Sequence, residues 1–408
     1  MMGKNVVWGL LILSVFSFSA LDLGSVSDGS YEIKSSAVVR SPKPAALDSL
    51  VLSYDEYLRN AVDGLQSPGA AIALVYKGEI ILLKGYGVKK AGEPDSVNNH
   101  TAFRLGSVSK GFASVLTGIM VNEGTLSWDD RVKSYLSDFN MRDTSSANHM
   151  TVRHILSQTT GFPEHTYTDR LDQGVEYEAI KATLANVPVV AKPGQIYTYQ
   201  NVVYSLIADI LLQASGKDYN YLLQDRIFNP LNMKDASTDY TSFYYNPNTA
   251  MPHLRSGSGW KVKPKNSRYY SVSPASGVNA SASDMAKWLL ALTGYYPEVL
   301  SEKTVEDIAQ HAIETPRKST YRRNWKSLDK TYYGLGWRVF NIKGHDVIYH
   351  GGYVEGFRSE IAFDPESKIG IAVMFNSNTP LASECVPHFM NTFLETCFSD
   401  QSPLFATK

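Results

Sequence analysis

Cysteine is scarce in this chain: two among 408 residues, Cys385 and Cys397. Two thiols do not build a disulfide-stapled scaffold, and neither has the flanking pattern of a metal site or a nucleophile. If "CVPHFMNTFLETC" is one helix, the pair stands about 18 Å apart, too far for a disulfide. A break at Pro387 would permit a bridge, and the sequence leaves both readings open. An excess of one charge is also missing. Lys plus Arg number 39 against 40 Asp plus Glu, a net charge of −1, and no basic block stands out, so nucleic acid is not an expected partner. The nine histidines form no H-x-x-x-H or comparable ligand set, so neither a metal nor another cofactor is expected. There is no phosphate loop. A Gly-x-Ser-x-Gly elbow is absent too, which excludes an α/β-hydrolase. After the N-terminus no apolar run is long enough to cross a membrane.

Hydrophobic residues make up 43% of the chain, enough for a sizeable core. The N-terminus, "MMGKNVVWGLLILSVFSFSA", has one cation, Lys4, then an apolar run from Val6 to about Phe16, then the small residues Ser17, Ser19 and Ala20. This pattern predicts a secretory signal peptide, 1–19, and hence a secreted or periplasmic protein. The competing reading is a retained anchor, but the run is short of the about 20 residues a span needs. A Ser-rich stretch, 20–46, reads as a flexible leader.

From residue 47 onward, strand patterns lie at both ends of the chain and helical patterns fill the middle. Ala70–Tyr76 and Glu79–Gly85 flank Lys77-Gly78 as a hairpin. The helix expected from Ser107 carries Phe112, Val115, Leu116, Ile119 and Met120 on one face. A second runs through Val202, Leu206, Ile210 and Leu211 to Gly216. Residues 237–271 read as loose and 283–292 as a helix. Four short β-rich runs then precede a helical tail from about Ala382 to Phe398. The fold class expected is α+β, a three-layer α/β/α arrangement. An antiparallel sheet from both chain ends (about 47–105 and 272–398) is flanked by helices, with a mainly helical subdomain (about 106–271) inserted.

Three Ser-x-x-Lys pairs occur: Ser107/Lys110, Ser258/Lys261 and Ser327/Lys330. The second lies in a glycine-broken loop and the third in a charged stretch. Only Ser107 opens a strongly amphipathic helix, where i and i+3 side chains are neighbours and free N–H groups favour an oxyanion. Downstream, "YTYQNVVYS" holds Tyr199 and Asn201 at the mouth of a helix, and "VIYHGGYVEGF" holds His350-Gly351-Gly352 at a strand end. An N-cap role for Ser107 or Asn201, and an ordinary strand histidine at position 350, are the bland alternatives.

Ser-x-x-Lys, Tyr-x-Asn and a Lys/His-x-Gly triplet, in that order, resemble the serine β-lactamase-like hydrolases. The likeness is to the branch related to class C β-lactamases, with D-Ala-D-Ala carboxypeptidases, D-aminopeptidases and esterases. Flanks such as "GTLSWDDRVKSYL", "TVRHILSQTTGFP" and "ASGVNASASDMAKWL" look like blocks of the same family, and the likeness runs over 47–398. It implies a β-lactamase/transpeptidase-like fold and a covalent acyl-enzyme on Ser107, with Lys110 and Tyr199 as proton carriers. Which of the two is the base stays open. Asn201 would bind Lys110 or a substrate amide. His350, Gly351 and Gly352 would line the cleft, and the backbone N–H groups of Ser107 and Tyr353 would form the oxyanion hole.

The third motif departs from true class C β-lactamases, which carry Lys-Thr-Gly where this chain has His-Gly-Gly. The loss of a cation and a hydroxyl counts against efficient β-lactam hydrolysis, and Arg358 is a candidate replacement cation. The expected function is an exported serine hydrolase cleaving an amide, ester or β-lactam, foremost a D-amino-acid-containing peptide or ester. Its partner is then a small-molecule or peptide substrate, peptidoglycan-derived or a β-lactam, and the chain is expected to be a monomer. A true β-lactamase and a non-catalytic peptidoglycan-fragment binder on the same fold are the alternatives.

Overall fold

A computed structural model describes residues 44–316 and 322–396. The signal segment, the leader as far as residue 43, and Cys397 lie outside the described residues. The first long helix, Ala45–Asp63, leads into β1 (Gly69–Tyr76) and β2 (Glu79–Gly87). Lys77 (φ 45°) and Gly78 (φ 85°) are both left-handed, the conformation of a two-residue hairpin turn that matches strand twist. Then come β3 (Phe103–Arg104), the helix Ser109–Asn122, the helix Leu206–Ser215, the hairpin β4 (His253–Ser256) and β5 (Gly259–Val262), and β6 (Asn279–Ala280). The helix Ala282–Leu292 precedes β7 (Ile313–Glu314), β8 (Leu328–Tyr333), β9 (Arg338–Ile342), β10 (His345–Val354), β11 (Phe357–Asp364) and β12 (Ile369–Phe375), and the helix Ala382–Thr396 closes the described chain.

Eight strands form one antiparallel sheet in the order β2-β1-β12-β11-β10-β9-β8-β7. The two chain ends therefore meet at the β1–β12 pair, Ala70 opposite Phe375 through Tyr76 opposite Ile369. Every residue of β1 is buried, and its two faces divide between two cores. Ala71, Ala73 and Val75 join the core shared with the inserted helices. Ala70, Ile72, Leu74 and Tyr76 join the core under the helices Ala45–Asp63 and Ala382–Thr396. Period-two alternation with both faces covered makes the three layers.

Several expectations change in detail. The α-helix starts at Ser109 rather than Ser107: Gly106–Val108 is a 3₁₀ turn, and Ser107 makes no cap bond to the helix. The helix is also buried nearly all round rather than on one stripe, since Ser109 to Gly118 are all buried. The second helix begins at Leu206, with Ser205 at the N-cap position and left-handed Gly216 at its end, so Asn201 is not its N-cap. The region read as loose contains the β4–β5 hairpin. The last helix runs through Pro387 unbroken to Thr396, so the break that would have brought the two cysteines together is not there; Cys385 is a buried free thiol.

Candidate active site

Of the three Ser-x-x-Lys pairs, two lie in the open: Ser258, Lys261, Ser327 and Lys330 are all exposed. Lys110 is fully buried, one helical turn from the half-buried Ser107. Its ammonium nitrogen lies 3.3 Å from Ser107 Oγ, 2.7 Å from Asn201 Oδ1 and 3.1 Å from the Ala275 carbonyl. The last two atoms only accept, so they engage two N–H bonds. The third position of the nitrogen faces Ser107. An ammonium there donates to Oγ; a neutral amine presents its lone pair and takes the serine proton. Burial, and then the Arg338 charge, hold this lysine well below the usual range, which favours the second state.

Tyr199 stands beside the lysine, with Lys110 Nζ 4.6 Å from its ring centroid. The motif loop is fixed from behind by one buried side chain. Gln158 accepts from the Gln200 N–H at 2.7 Å and donates to the Gln200 carbonyl at 3.1 Å, so Tyr199 and Asn201 flank an immobilised peptide. The Asn201 carbonyl in turn accepts from the Ser205 amide and hydroxyl, tying the loop to the next helix. Tyr204 donates to the Lys110 carbonyl at 2.8 Å.

The far wall is β10. Side chains alternate along it, so His350 and Gly352 face Ser107 while Tyr349 and Gly351 face the terminal helices. A Cβ on Gly352 would sit 2.1 Å from the Leu105 carbonyl and 3.1 Å from the Ser107 nitrogen; one on Gly106, itself left-handed at φ 54°, would sit 2.9 Å from the Tyr353 nitrogen. Backbone meets backbone here only because both residues lack side chains. That contact lays the backbone of Gly106-Ser107 against that of Gly352-Tyr353. Gly351 serves the opposite face, where a Cβ would come 2.5 Å from Glu360 Oε2.

His350 is buried, and its tautomer follows from its partners. Nδ1 lies 2.9 Å from the Gly351 carbonyl, which only accepts, so Nδ1 carries the hydrogen; Nε2 then accepts from the Tyr333 hydroxyl at 3.2 Å. Burial, Arg338 and Lys110 push its pKa well below the ordinary imidazole value. The third motif thus places a neutral ring, not a cation, against the site.

Arg358 does not enter the site. It pairs with Tyr353 in the β10–β11 register, on the face turned to the terminal helices, and binds Glu360 at 2.5 Å and Ser383 at 3.3 Å. The cation that does enter is Arg338, at the start of β9, with Cζ 5.7 Å from the ring centroids of Tyr199 and of Tyr333. Sequence reasoning missed it because it belongs to no motif; the available signal was one charge inside the otherwise uncharged "YGLGWRVF". Tyr333, Tyr204 and the Ala275 carbonyl were missed for the same reason. Among the described residues no cluster of His, Cys, Asp and Glu has the arrangement of a metal site, and no helix is long and apolar enough to cross a membrane.

Known proteins share both the sequence pattern and the fold. The Beta-lactamase family model matches residues 54–388. Unguisins hydrolase ungD' of Aspergillus campestris (strain IBT 28561) is 26% identical over 357 residues, 82% of this chain and 63% of that protein. Protein flp of Staphylococcus aureus (strain MW2) is 24% identical over 336 residues, 80% of this chain and 62% of that protein. The chain therefore spans a little under two thirds of the length of these curated relatives. Among solved structures, the octameric penicillin-binding protein homologue from Pyrococcus abyssi superposes with a TM-score of 0.73 at 23% identity, covering 84% of this chain and 77% of that one. EstCE1, a hydrolase with promiscuous acyltransferase activity, superposes with a TM-score of 0.71 at 16% identity, covering 85% and 99%. At such identities these two speak for the fold, which is the β-lactamase/transpeptidase arrangement. With 54–388 matched, well over half of its length, the chain belongs to the Beta-lactamase family.

Proposed function

We propose that this chain is a serine hydrolase that works through an acyl-enzyme on Ser107, on amide or ester bonds of a small molecule or short peptide. The observation that carries this reading is the lysine: Lys110 Nζ is fixed by two acceptor-only oxygens, and its third hydrogen-bond partner is Ser107 Oγ. A solvated lysine beside a capping serine would have no reason to be buried without a carboxylate. Attack by Ser107 on the carbonyl carbon puts negative charge on the carbonyl oxygen, which the Ser107 and Tyr353 amides would receive. The proton passes through Lys110 and Tyr199 to the leaving group, and water repeats the sequence to release the acid.

The neutral His350 makes β-lactams with a carboxylate a weaker match than D-amino-acid-containing peptides or esters. The hydrolase name of the Aspergillus relative supports hydrolysis in general. Export, resting on the apolar run after Lys4, belongs to the same proposal.

The test is a time course of intact mass with a penicillin and, separately, with a p-nitrophenyl ester, the adduct mapped to its residue. An adduct on Ser107 that is absent from Ser107→Ala is the expected result. Label that persists in Ser107→Ala, or no adduct and no turnover with either donor, would overturn the reading. The second outcome would move the chain to the fragment-binding alternative.

A further inference from the structure

The site holds a second buried cation outside the three motifs. We propose that Arg338 is a positioning residue for acylation: from the strand next to β10 it supplies the charge that His350 does not. It thereby keeps the Lys110–Tyr199 pair one proton short near neutral pH. This rests on the serine-hydrolase reading above and says which residue makes that chemistry available.

The geometry is specific. Arg338 is 7% exposed and its Nη1 donates to the Tyr197 hydroxyl at 3.3 Å. Tyr199 has two cations near its ring, Lys110 Nζ at 4.6 Å and Arg338 Cζ at 5.7 Å. The chain just before Arg338 is pinned to its surroundings. The Leu335 carbonyl accepts from Ser114 on the lysine's own helix. Gly336 donates to the Leu156 carbonyl at 2.8 Å. Trp337 covers Gly111 so closely that a Cβ there would lie 2.2 Å from the indole. Arg338 therefore keeps a fixed distance from Lys110.

The titratable groups around this space leave few carriers of charge. Lys110 comes from the helix Ser109–Asn122, Tyr197 and Tyr199 from the motif loop, and Tyr204 from behind the lysine. Tyr333 lies on β8, His350 on β10 and Glu360 on β11. His165, its ring 5.7 Å from that of Tyr199, is exposed and faces Glu164. Burial keeps Tyr204 and Tyr333 protonated phenols, and His350 is neutral. Glu360 binds Arg358 and Tyr349 and also feels the Arg338 charge. Arg338 in turn acts on the shared protons of Lys110 and Tyr199. Fully protonated, that pair carries +1, and a guanidinium fixed beside it disfavours that state. One proton short, as amine and phenol or as ammonium and phenolate, it accepts the Ser107 proton.

The step balances. The Ser107 oxygen bonds to the acyl carbon, its proton moves to the pair, and the carbonyl π electrons move to oxygen. Collapse expels the leaving group, which takes that proton and returns the pair to its starting state.

The experiment is the pH profile of kcat/KM for neutral p-nitrophenyl acetate with the full chain, Arg338→Gln and Arg338→Lys. Since the deprotonated pair is the active form and Arg338 lowers its proton affinity, removing the charge moves the acidic limb to higher pH. A guanidinium centred 5.7 Å from the Tyr199 ring in a partly solvated site predicts a shift of about one to two pH units. Activity recovers at alkaline pH, and Arg338→Lys returns the limb most of the way. Arg338→Met, which keeps the stem's packing, makes the same measurement if the glutamine variant does not fold. An equal loss at every pH with an unmoved limb would assign Arg338 a merely structural role and overturn the proposal. That failure differs from failure of the parent reading, in which the unaltered chain shows neither ester turnover nor Ser107 labelling by a fluorophosphonate.

Discussion

Two adjacent glycines on β10 have opposite tasks. Gly352 lets the Ser107 turn lie against the strand, whereas Gly351 leaves room for the Glu360 carboxylate and the Tyr349 hydroxyl on the other face. Gly352→Ala is therefore expected to displace an oxyanion donor and lower kcat/KM by about 10²–10³. Gly351→Ala crowds a buried ion pair and is expected to lower stability by about 1–3 kcal/mol, with activity of the folded fraction within a few-fold of the parent. Steady-state kinetics beside thermal melts of both variants check the contrast; equal effects on both readouts would refute it. At this scale the motifs made the grouping of Ser107, Lys110, Tyr199, Asn201 and His350 readable, because short spacings single these residues out. Arg338 was unreadable because its proximity to Tyr199 arises from the tertiary fold, which no local spacing records. The candidate Arg358 lies away from Ser107 for a different reason. It is close to the glycine pair along the chain, but its register partner, Tyr353, turns it away.

Elements add constraints of their own. Pro387 lies inside the helix Ala382–Thr396, where it cannot donate to the carbonyl four residues earlier. That carbonyl, on Ser383, accepts instead from Asn324 Nδ2 at 2.9 Å. Asn324 is held in return, its own carbonyl accepting from Asn391 Nδ2 at 3.0 Å. Asn324→Ala is expected to cost about 0.5–1 kcal/mol, and less in a Pro387→Ala background, where the helix satisfies Ser383 itself. Chemical denaturation of the two single variants and the double variant measures this coupling; additive costs would contradict it. The hairpin β1–β2 and the strands β10 to β12 were legible from β-rich runs between turn residues. β8 was not, because "LDKTYY" has its first three residues half or fully exposed near the sheet's end and lacks an apolar run. β4–β5 was hidden by its Gly and Ser content.

Over the whole molecule, one sheet carries both cores, so neither core exists without it. Cys385 is buried in the core beneath the terminal helices, and its backbone carbonyl accepts from Tyr54 at 2.7 Å. In a Cys397→Ser variant, maleimide labelling of Cys385 in native buffer is expected to proceed no faster than global unfolding, as measured by denaturant-jump kinetics. Faster labelling would mean that the terminal layer opens by itself. The contribution of both chain ends to one sheet could be read from where the β-rich runs lie. The strand order could not, since β1 chooses β12 through contacts about 300 residues apart. That pairing also sets a clock for the newborn protein. At about 5–20 residues per second, a ribosome needs roughly 12–50 s to travel from Ser107 to the Gly352 wall. Until then, Ser107 has been translated but the strand that lies against it has not, so the proposed acyl-transfer site cannot assemble before β10 is made.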